Sequence, residues 1–575
     1  MMGKRTITGL LVLLAAAGLI GWAEDDVPAE KERVGGLAFV DEVEVTVVNI
    51  EVFVRDKDGV PVTDLGIDDF EVFQDGEQRK LTNFMLVDKT VRETILDSRS
   101  TALAKEPTEA GTPLPSQPEI RPVHIVVYID NENLLPFDRN RVLSHVRDFL
   151  ADTVGPGVEA MIVSNQGSPK VIQAFSSDPQ ELGAALRELR RGTGGRTSLQ
   201  SQHAALRRDL VRLANEGLDR DGNSQKAILA LEDLISYADQ VQAELVRDIT
   251  AVRMLGAGLT GLPGRKCLVY VSSGLPMVVG KDLFYQFTNY FQGRSMLSLS
   301  ARYNQRAEYS DLAAAANSQG MVFYTIDARG SAPASGISAE SGVSGDPSAD
   351  AIYQMNLEQP LLFLAEKTGG LATVGTNNFE AGLDRVREDI LTYYSLGYPI
   401  TSAGGDRVHR IEVKLPGHSN FDVRHRRTFV EKSMESEVQD RVMTALLFDV
   451  DENPMGVEAT VGEPSAAQEG RFLLPLRVSF PTESVALLPE GDTLKGEVVL
   501  FVSLRDSAGK QADLQSRVQP ISIPSAEYAR MAKLPLSIDL QLLVVSGRYR
   551  ISVGLFDRLT RQSSYQTLAT SIPEN

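Results

Sequence analysis

Four residues have oxygen-bearing side chains of the kind that bind divalent cations. Asp130 and Glu132 follow the apolar run "VHIVVYI", and Ser273 follows a second apolar run, "KCLVYVS". Thr197 stands in the glycine-rich stretch "GTGGRTSL", ahead of a helical pattern. Carboxylate and hydroxyl oxygens are the ligands that Mg²⁺ and Ca²⁺ prefer. These residues therefore predict a weak Mg²⁺ or Ca²⁺ site, in which Asn131 or Ser273 acts through water.

Two other interpretations of the same residues stay open. In the first, the loop holds no metal, and Asp130 caps a helix or accepts hydrogen bonds from backbone N–H groups. In the second, Asp130 and Glu132 form an acid and base pair of an enzyme. The sequence offers no nucleophile beside a matching base, because Cys267 lies inside an apolar run and "VSSGLP" lacks the GxSxG pattern of hydrolases. We therefore expect a protein without enzymatic activity.

Alternating strand and helix patterns position these residues. Six short runs rich in apolar residues begin near 123, 158, 170, 266, 320 and 370, and helical patterns lie between most of them. A long helix is predicted over about 224–255, since its apolar residues recur at helical spacing. This order predicts a doubly wound, Rossmann-type α/β domain over 122–432, with its ligand site beyond the carboxyl ends of the strands.

Strand patterns of period two flank the predicted α/β domain on both sides. Residues 40–90 alternate between apolar and polar side chains and contain Asp-Gly turns, which predicts an N-terminal β-rich domain. Residues 97–121 are rich in Ser, Thr, Pro and Ala and are expected to form a linker. Residues 440–575 return to alternation and predict a C-terminal β-sandwich domain. The expected architecture is a central α/β domain between two β-sandwich-like units.

The first 23 residues have the order of a bacterial export signal. Lys4 and Arg5 precede an apolar run, and small residues at Gly21 and Ala23 precede acidic sequence, so we expect cleavage after Ala23. The protein would then be secreted, periplasmic or part of the cell envelope. The alternative is a retained anchor, which is the only case in which we expect membrane association.

The acidic composition disfavours nucleic acid as a partner. The formal net charge is −19, and the loss of Lys4 and Arg5 with the signal would bring it to −21. Such acidity disfavours nucleic acid as a partner. The single cysteine, Cys267, cannot form a disulfide within the chain, so stability must come from the hydrophobic cores.

Taken together, the strand-end Asp130, the glycine-rich loop at Thr197 and the later Ser273 resemble the von Willebrand factor type A (vWA) domain. That resemblance implies a metal-ion-dependent adhesion site, or MIDAS, in which the first loop reads DxSxS. Here Glu132 and Leu134 occupy the two serine positions, and Ser273 occupies the position of the last aspartate. Leu134 cannot bind a metal, so the resemblance implies a degenerate MIDAS.

Several longer phrases resemble a bacterial secreted family, the VWFA-related Acidobacterial domain. They are "VRDKDGVPVTDLGIDDFEVFQDGE", "GRKCLVYVSSGLP", "LAAAANSQGMVFYTIDARG", "LAEKTGGLA" and "YYSLGYP", and they span about residues 43–430. The family implies a fold and an exported location. We expect an adhesion-type protein that binds a protein or cell-surface ligand through the predicted metal face. The alternative is a structural component of a cell-envelope assembly in which the metal site is silent.

Overall fold

The structure is a computed structural model. It describes residues 45–88, 90–91, 121–191, 197–216, 225–291, 296–331, 346–401, 407–448, 453–507 and 510–573. The predicted signal at 1–23 lies outside the described residues, as does nearly all of the predicted linker at 97–121.

Four strands begin the described chain. On the first strand, alternate residues from Val48 to Val54 are buried, so that one face of the strand points into a core. The strands are β1 (Val45–Arg55), β2 (Glu71–Gln74), β3 (Glu77–Arg79) and β4 (Asn83–Val87).

A six-stranded sheet forms the centre of the molecule, in the order β10-β9-β8-β5-β6-β7. All neighbours are parallel except β7, which returns antiparallel along β6. The strands are β5 (Val123–Ile129), β6 (Val158–Asn165), β7 (Pro169–Ser176), β8 (Arg265–Ser272), β9 (Met321–Asp327) and β10 (Ala372–Thr373). Every residue of β5 and of β8 is buried, as expected for parallel strands covered on both faces.

Nine described helices accompany this sheet. They are α1 (Pro136–Thr153), α2 (Pro179–Arg191), α3 (Thr197–Asn215), α4 (Gln225–Gly258), α5 (Lys281–Tyr290), α6 (Leu297–Arg302), α7 (Arg306–Ser318), α8 (Pro347–Thr368) and α9 (Phe379–Leu391). Val126 and Tyr128 of β5 pack with α3, α4, α5, α7 and α8 on one face, whereas Ile125, Val127 and Ile129 pack with α1, α2 and α9 on the other. The predicted doubly wound α/β class is confirmed.

The strands that follow α9 do not extend the central sheet. They are β11 (Tyr393–Thr401), β12 (Arg407–Lys414), β13 (Asp422–His425) and β14 (Thr428–Glu431). β1 pairs antiparallel with β11 and with β13, and β2 pairs antiparallel with β12. The two resulting sheets, β13-β1-β11-β4 and β14-β12-β2-β3, enclose a core that includes Ile50, Phe70, Tyr394 and Ile411.

These pairings correct two predicted boundaries. The α/β domain was predicted to run from 122 to 432, but the strands from Tyr393 onward belong to a sandwich with β1–β4. The predicted N-terminal domain at 40–90 is therefore only half of that sandwich. The α/β chain is inserted between its two halves, and partners more than 300 residues apart leave no local signal in the sequence.

A buried ion cluster joins this N-terminal sandwich to the α/β domain. Asp389, on α9, is 2% exposed and receives hydrogen bonds from two arginines of the sandwich. Arg55 of β1 donates through Nη2 at 2.8 Å, and Arg424 of β13 donates through both Nη atoms, each at 2.8 Å. Arg55 also pairs with Glu388 at 2.9 Å. The carboxylate of Asp389 therefore compensates two cations that are themselves largely buried.

Two helices and nine strands complete the described chain. α10 (Met434–Phe448) packs through Val438, Val442 and Ala445 onto three of these strands, and α11 (Tyr528–Met531) is a single short turn. The strands are β15 (Glu458–Val461), β16 (Ser465–Ala466), β17 (Arg471–Pro481), β18 (Leu488–Glu490), β19 (Thr493–Asp506), β20 (Gln515–Pro524), β21 (Pro535–Val545), β22 (Gly547–Asp557) and β23 (Ser563–Ile572). They form two sheets around a shared core, so the unit is a β-sandwich. None of the described helices combines the length and apolarity required to span a membrane.

Candidate functional site

The carboxyl ends of the parallel strands bring Asp130, Ser272 and Asp327 to one edge of the sheet. Asp130 follows β5 directly, Ser272 ends β8, and Asp327 ends β9. Ile129 is in register with Val271, and Ser272 is in register with Asp327. The three polar positions therefore lie side by side, where a doubly wound sheet places its ligand site.

The carboxylate of Asp130 is fully buried and is already satisfied by protein donors. Asn133 Nδ2 donates to Oδ1 at 2.9 Å and to Oδ2 at 2.8 Å. Oδ2 also accepts from Tyr270 at 3.0 Å and from Ser272 at 2.7 Å. Asp130 is 0% exposed. The donors are side chains, so Asp130 acts neither as a helix cap nor as an acceptor of backbone N–H groups.

A second buried carboxylate, Asp248, lies next to Asp130. Asn133 Nδ2 also contacts Asp248 Oδ2 at 3.2 Å, and Asn165 Nδ2 donates to Asp248 Oδ1 at 3.2 Å. Asp248 was not predicted from the sequence. It lies on the buried stripe of α4, three residues after Leu245 and four before Val252. A charged residue at such a position needs a partner, and this could have marked it as a candidate.

The pKa of Asp130 is raised to about 6. Burial is the larger cause, and the nearby negative charge of Asp248 is the second. The hydrogen bonds from Ser272, Asn133 and Tyr270 act in the opposite direction. The folded protein thus binds a proton at this carboxyl more tightly than the unfolded chain does.

We expect this proton to make the fold more stable in mild acid. Between pH 4 and pH 6 the folded state holds the proton on Asp130 and the unfolded state has released it, so this contribution to stability falls as pH rises. A shift from 3.8 to about 6 corresponds to about 3 kcal/mol. The measurement is urea unfolding of the wild type and of Asp130→Asn at pH 4 and at pH 7. From pH 4 to pH 7, the free energy of unfolding of the wild type should fall relative to that of Asp130→Asn by about 3 kcal/mol. Parallel pH profiles for the two proteins would contradict the expectation.

The other predicted ligands do not gather around Asp130. Glu132 is partly exposed, and its Oε2 lies 3.9 Å from the ideal Cβ position of Gly167, in the β6–β7 turn. Ser273 is 6% exposed and lines a groove beside α3 and α5. Helix α3 begins at Thr197, whose side chain lies outside the described residues.

This arrangement does not fit a divalent cation. The central carboxylate has four hydrogen bonds from protein donors, which a metal would have to displace. Within the described ranges, no three His, Cys, Asp or Glu side chains are grouped so that they could hold a metal ion. In this chain Asn133, Tyr270 and Ser272 stabilise the buried carboxylate in the way that a cation would otherwise do.

A groove of about 340 Å³ opens at the same edge of the sheet. Its polar lining includes His203 of α3 and Ser273, whose buried hydroxyl has no hydrogen-bond partner within the described ranges. Gly274 forms the turn that follows Ser273, with φ +85°, and a Cβ atom there would lie 2.5 Å from the carbonyl of Leu357. The "SSG" sequence therefore requires glycine at this position, which turns the chain sharply against α8.

Two hydrogen-bonded side-chain pairs contribute to the groove. His203 Nε2 lies 2.8 Å from Asp282 Oδ2, and the His203 ring stacks on Tyr353 with 4.6 Å between ring centroids. Arg329 forms two hydrogen bonds with Asp327, from Nε at 2.9 Å and from Nη2 at 2.6 Å. Burial raises the pKa of Tyr353 to about 12, so its hydroxyl stays protonated and able to donate. His203 and Arg329 thus enter the groove already hydrogen-bonded to carboxylates.

Ser273, His203 and Asp282 are the residue types of a hydrolytic triad, and all three line the groove. A triad needs a hydrogen bond between the nucleophile and the base. Among the described residues the hydroxyl of Ser273 makes no such bond, whereas His203 is held by Asp282.

Comparisons with known proteins give structural neighbours only. No family model matches the chain, and no curated protein matches it. The resemblance to the VWFA-related Acidobacterial family therefore stays a prediction.

Three of the similar solved structures are two vWA-type proteins and one metal-loaded protein. The vWF domain of the type V pili tip protein Mfa5 from Porphyromonas gingivalis is 14% identical, covers 48% of this chain and 96% of its own, and has a TM-score of 0.24. A von Willebrand factor type A protein from Catenulispora acidiphila is 10% identical, with coverages of 78% and 65% and a TM-score of 0.20. Manganese-loaded TRAP from Plasmodium vivax is 9% identical, with coverages of 62% and 86% and a TM-score of 0.21. Likeness at this level gives no argument for a shared metal, ligand or partner.

Proposed function

We propose that this chain is an exported, non-enzymatic binding protein that holds a polar segment of a protein or cell-surface ligand in the groove at the carboxyl edge of the central sheet. The observation that carries the proposal is that Ser273 lines a groove of about 340 Å³ while its buried hydroxyl has no hydrogen-bond partner among the residues that the structure describes. A buried polar group without a partner is costly, and a bound ligand would satisfy it.

The chemistry of the groove supports a polar but uncharged ligand segment. His203 and Arg329 are already paired with Asp282 and Asp327, so a charged ligand group would have to compete with an existing partner. Hydroxyl and amide groups, as in a peptide backbone or a glycan, would pair with Ser273 and Tyr353 without that competition. Binding by this route needs no metal ion.

Blocking the groove should abolish capture of the ligand. Gln200 lines the groove from the first turns of α3 and is partly exposed, so Gln200→Trp should fill the opening without removing a buried contact. Gln202, on the same helix, is exposed and does not line the groove, and Gln202→Trp is the matched control. We expect capture from host envelope extract, measured by quantitative mass spectrometry, to fall at least tenfold for the first variant only, with and without EDTA.

The alternative is a structural component of an envelope assembly whose contacts are made by the flanking sandwiches. The four hydrogen bonds to Asp130 favour this alternative, because they occupy the carboxylate that a metal ion would need and leave the predicted metal site silent. Undiminished capture of the same partners by Gln200→Trp would reject the groove and support this alternative. Capture that depends on divalent cations would instead restore the metal site.

A further inference from the structure

A second cavity, of about 490 Å³, lies at the opposite edge of the central sheet. We call it the junction cavity, because three parts of the chain line it. The α/β domain contributes Lys266 and Gln319, the N-terminal sandwich contributes Asn49 and Arg426, and α10 contributes Asp440. Lys266 is at the start of β8, so the strand separates it from the groove by roughly 20 Å at about 3.3 Å per residue.

Lys266 is a buried cation that no carboxylate of the described residues contacts directly, although the negative charges of Glu51 and Asp440 act on it from farther away. It is 6% exposed, and within the described part of the chain its Nζ has one polar partner, the carbonyl oxygen of Gln319 at 3.3 Å. An ammonium group has three N–H donors, and burying it without a counter-charge is costly. A site that retains such a group needs a compensating anion.

Two further cations approach the same point. Arg426 Nη2 donates to the carbonyl of Asn49 at 3.0 Å. Its Nη1 lies 3.9 Å from the ideal Cβ position of Gly320, the residue after Gln319, whose carbonyl oxygen accepts from Lys266. Lys432 also lines the cavity and is paired with Asp440. Burial, and then the positive charges of Lys432 and Arg426, lower the pKa of Lys266 to about 8.

Positive charge exceeds negative charge around the cavity, although the whole chain has a net charge of −19. Six cationic side chains line it: Arg121, Arg265, Lys266, Arg426, Lys432 and Arg441. Four acidic side chains line it: Glu51, Glu431, Glu437 and Asp440. One of the acids, Glu431, is already paired with His409 at 3.1 Å. The local excess of cations is therefore a property of this cavity and not of the protein surface in general.

We propose that the junction cavity binds a compact, multiply charged oxyanion, either phosphate or the phosphate group of a small molecule, between Lys266 and Arg426. Lysine binds phosphate as a point charge, and arginine presents parallel N–H donors to its oxygens. Because the cavity walls come from the α/β domain, the N-terminal sandwich and α10, the bound anion stabilises the junction of the three.

The test is calorimetric melting of the full chain with increasing orthophosphate, against chloride at equal ionic strength. We expect a saturable rise in melting temperature for the wild type. Lys266→Met should weaken the apparent affinity at least tenfold, yet melt no lower than the wild type without phosphate, because it removes an uncompensated charge. Lys495→Met, at an exposed lysine of the C-terminal sandwich, is the matched control and should respond as the wild type does.

A second pair of variants keeps the test decisive if Lys266→Met fails to fold. Arg426→Lys retains the charge and should keep most of the phosphate response, whereas Arg426→Gln should lose it. The same titration with glycerol 3-phosphate distinguishes a phosphate ester from free phosphate, since the physiological form should bind more tightly. An absent or non-saturable response of the wild type, or equal responses from the wild type, Lys266→Met and Arg426→Gln, would overturn the proposal. The groove variant Gln200→Trp should leave this response unchanged.

Discussion

Asp389→Asn is expected to reduce the free energy of unfolding by about 3–5 kcal/mol, the range typical of removing one partner from a buried ion cluster. Asp389 is 2% exposed, and its two oxygens accept from Arg55 of β1 and Arg424 of β13. Asparagine has a similar shape but no charge, so both guanidinium groups would stay buried without this counter-charge. The loss should therefore weaken the attachment of the N-terminal sandwich to the α/β domain.

The measurement is urea unfolding followed by circular dichroism, because the chain without residues 1–23 has no tryptophan. Asp384→Asn is the matched control on the same helix. Asp384 pairs with Arg387 at 2.9 Å, but both side chains are partly exposed to solvent, so this change should cost at most about 0.5 kcal/mol. Similar losses for the two variants would show that the buried cluster does not join the two units as we describe.

Asp130→Ala is expected to cost about 3 kcal/mol, and divalent cations should not alter that cost. The change leaves the amide of Asn133 and the hydroxyls of Tyr270 and Ser272 without their acceptor, and each unsatisfied buried donor costs about 1–3 kcal/mol. Relief of the repulsion between Asp130 and Asp248 offsets part of this sum.

The decisive comparison is calorimetric melting of the wild type and of Asp130→Ala in Ca²⁺, in Mg²⁺ and in EDTA. A site filled at about ten times its Kd would add about 1.4 kcal/mol. We expect the same melting temperature for the wild type in all three solutions. A rise in Ca²⁺ or Mg²⁺ that disappears in Asp130→Ala would show that Asp130 binds a metal after all.

The sequence by itself determined the class of the central domain and the edge of the sheet at which to look for a site. The apolar runs ending at Ile129 and Ser272 could only be strands covered on both faces, and the apolar repeat of α4 could only be a buried helix stripe. These are local signals, because side-chain periodicity within a segment reports which faces are buried. The placement of Asp130 at a strand end follows from the same pattern.

Only the tertiary structure decided what surrounds these residues. Asp130 and Asp248 are 118 positions apart, and Lys266 and Arg426 are 160 apart, so no spacing in the sequence shows that they meet. Nor does alternation within β1 reveal that its partner is β11, since any antiparallel strand of the same pattern would pair equally well. Whether a carboxylate holds a metal or accepts hydrogen bonds depends on the donors that reach it. Those donors come from segments that folding alone brings together.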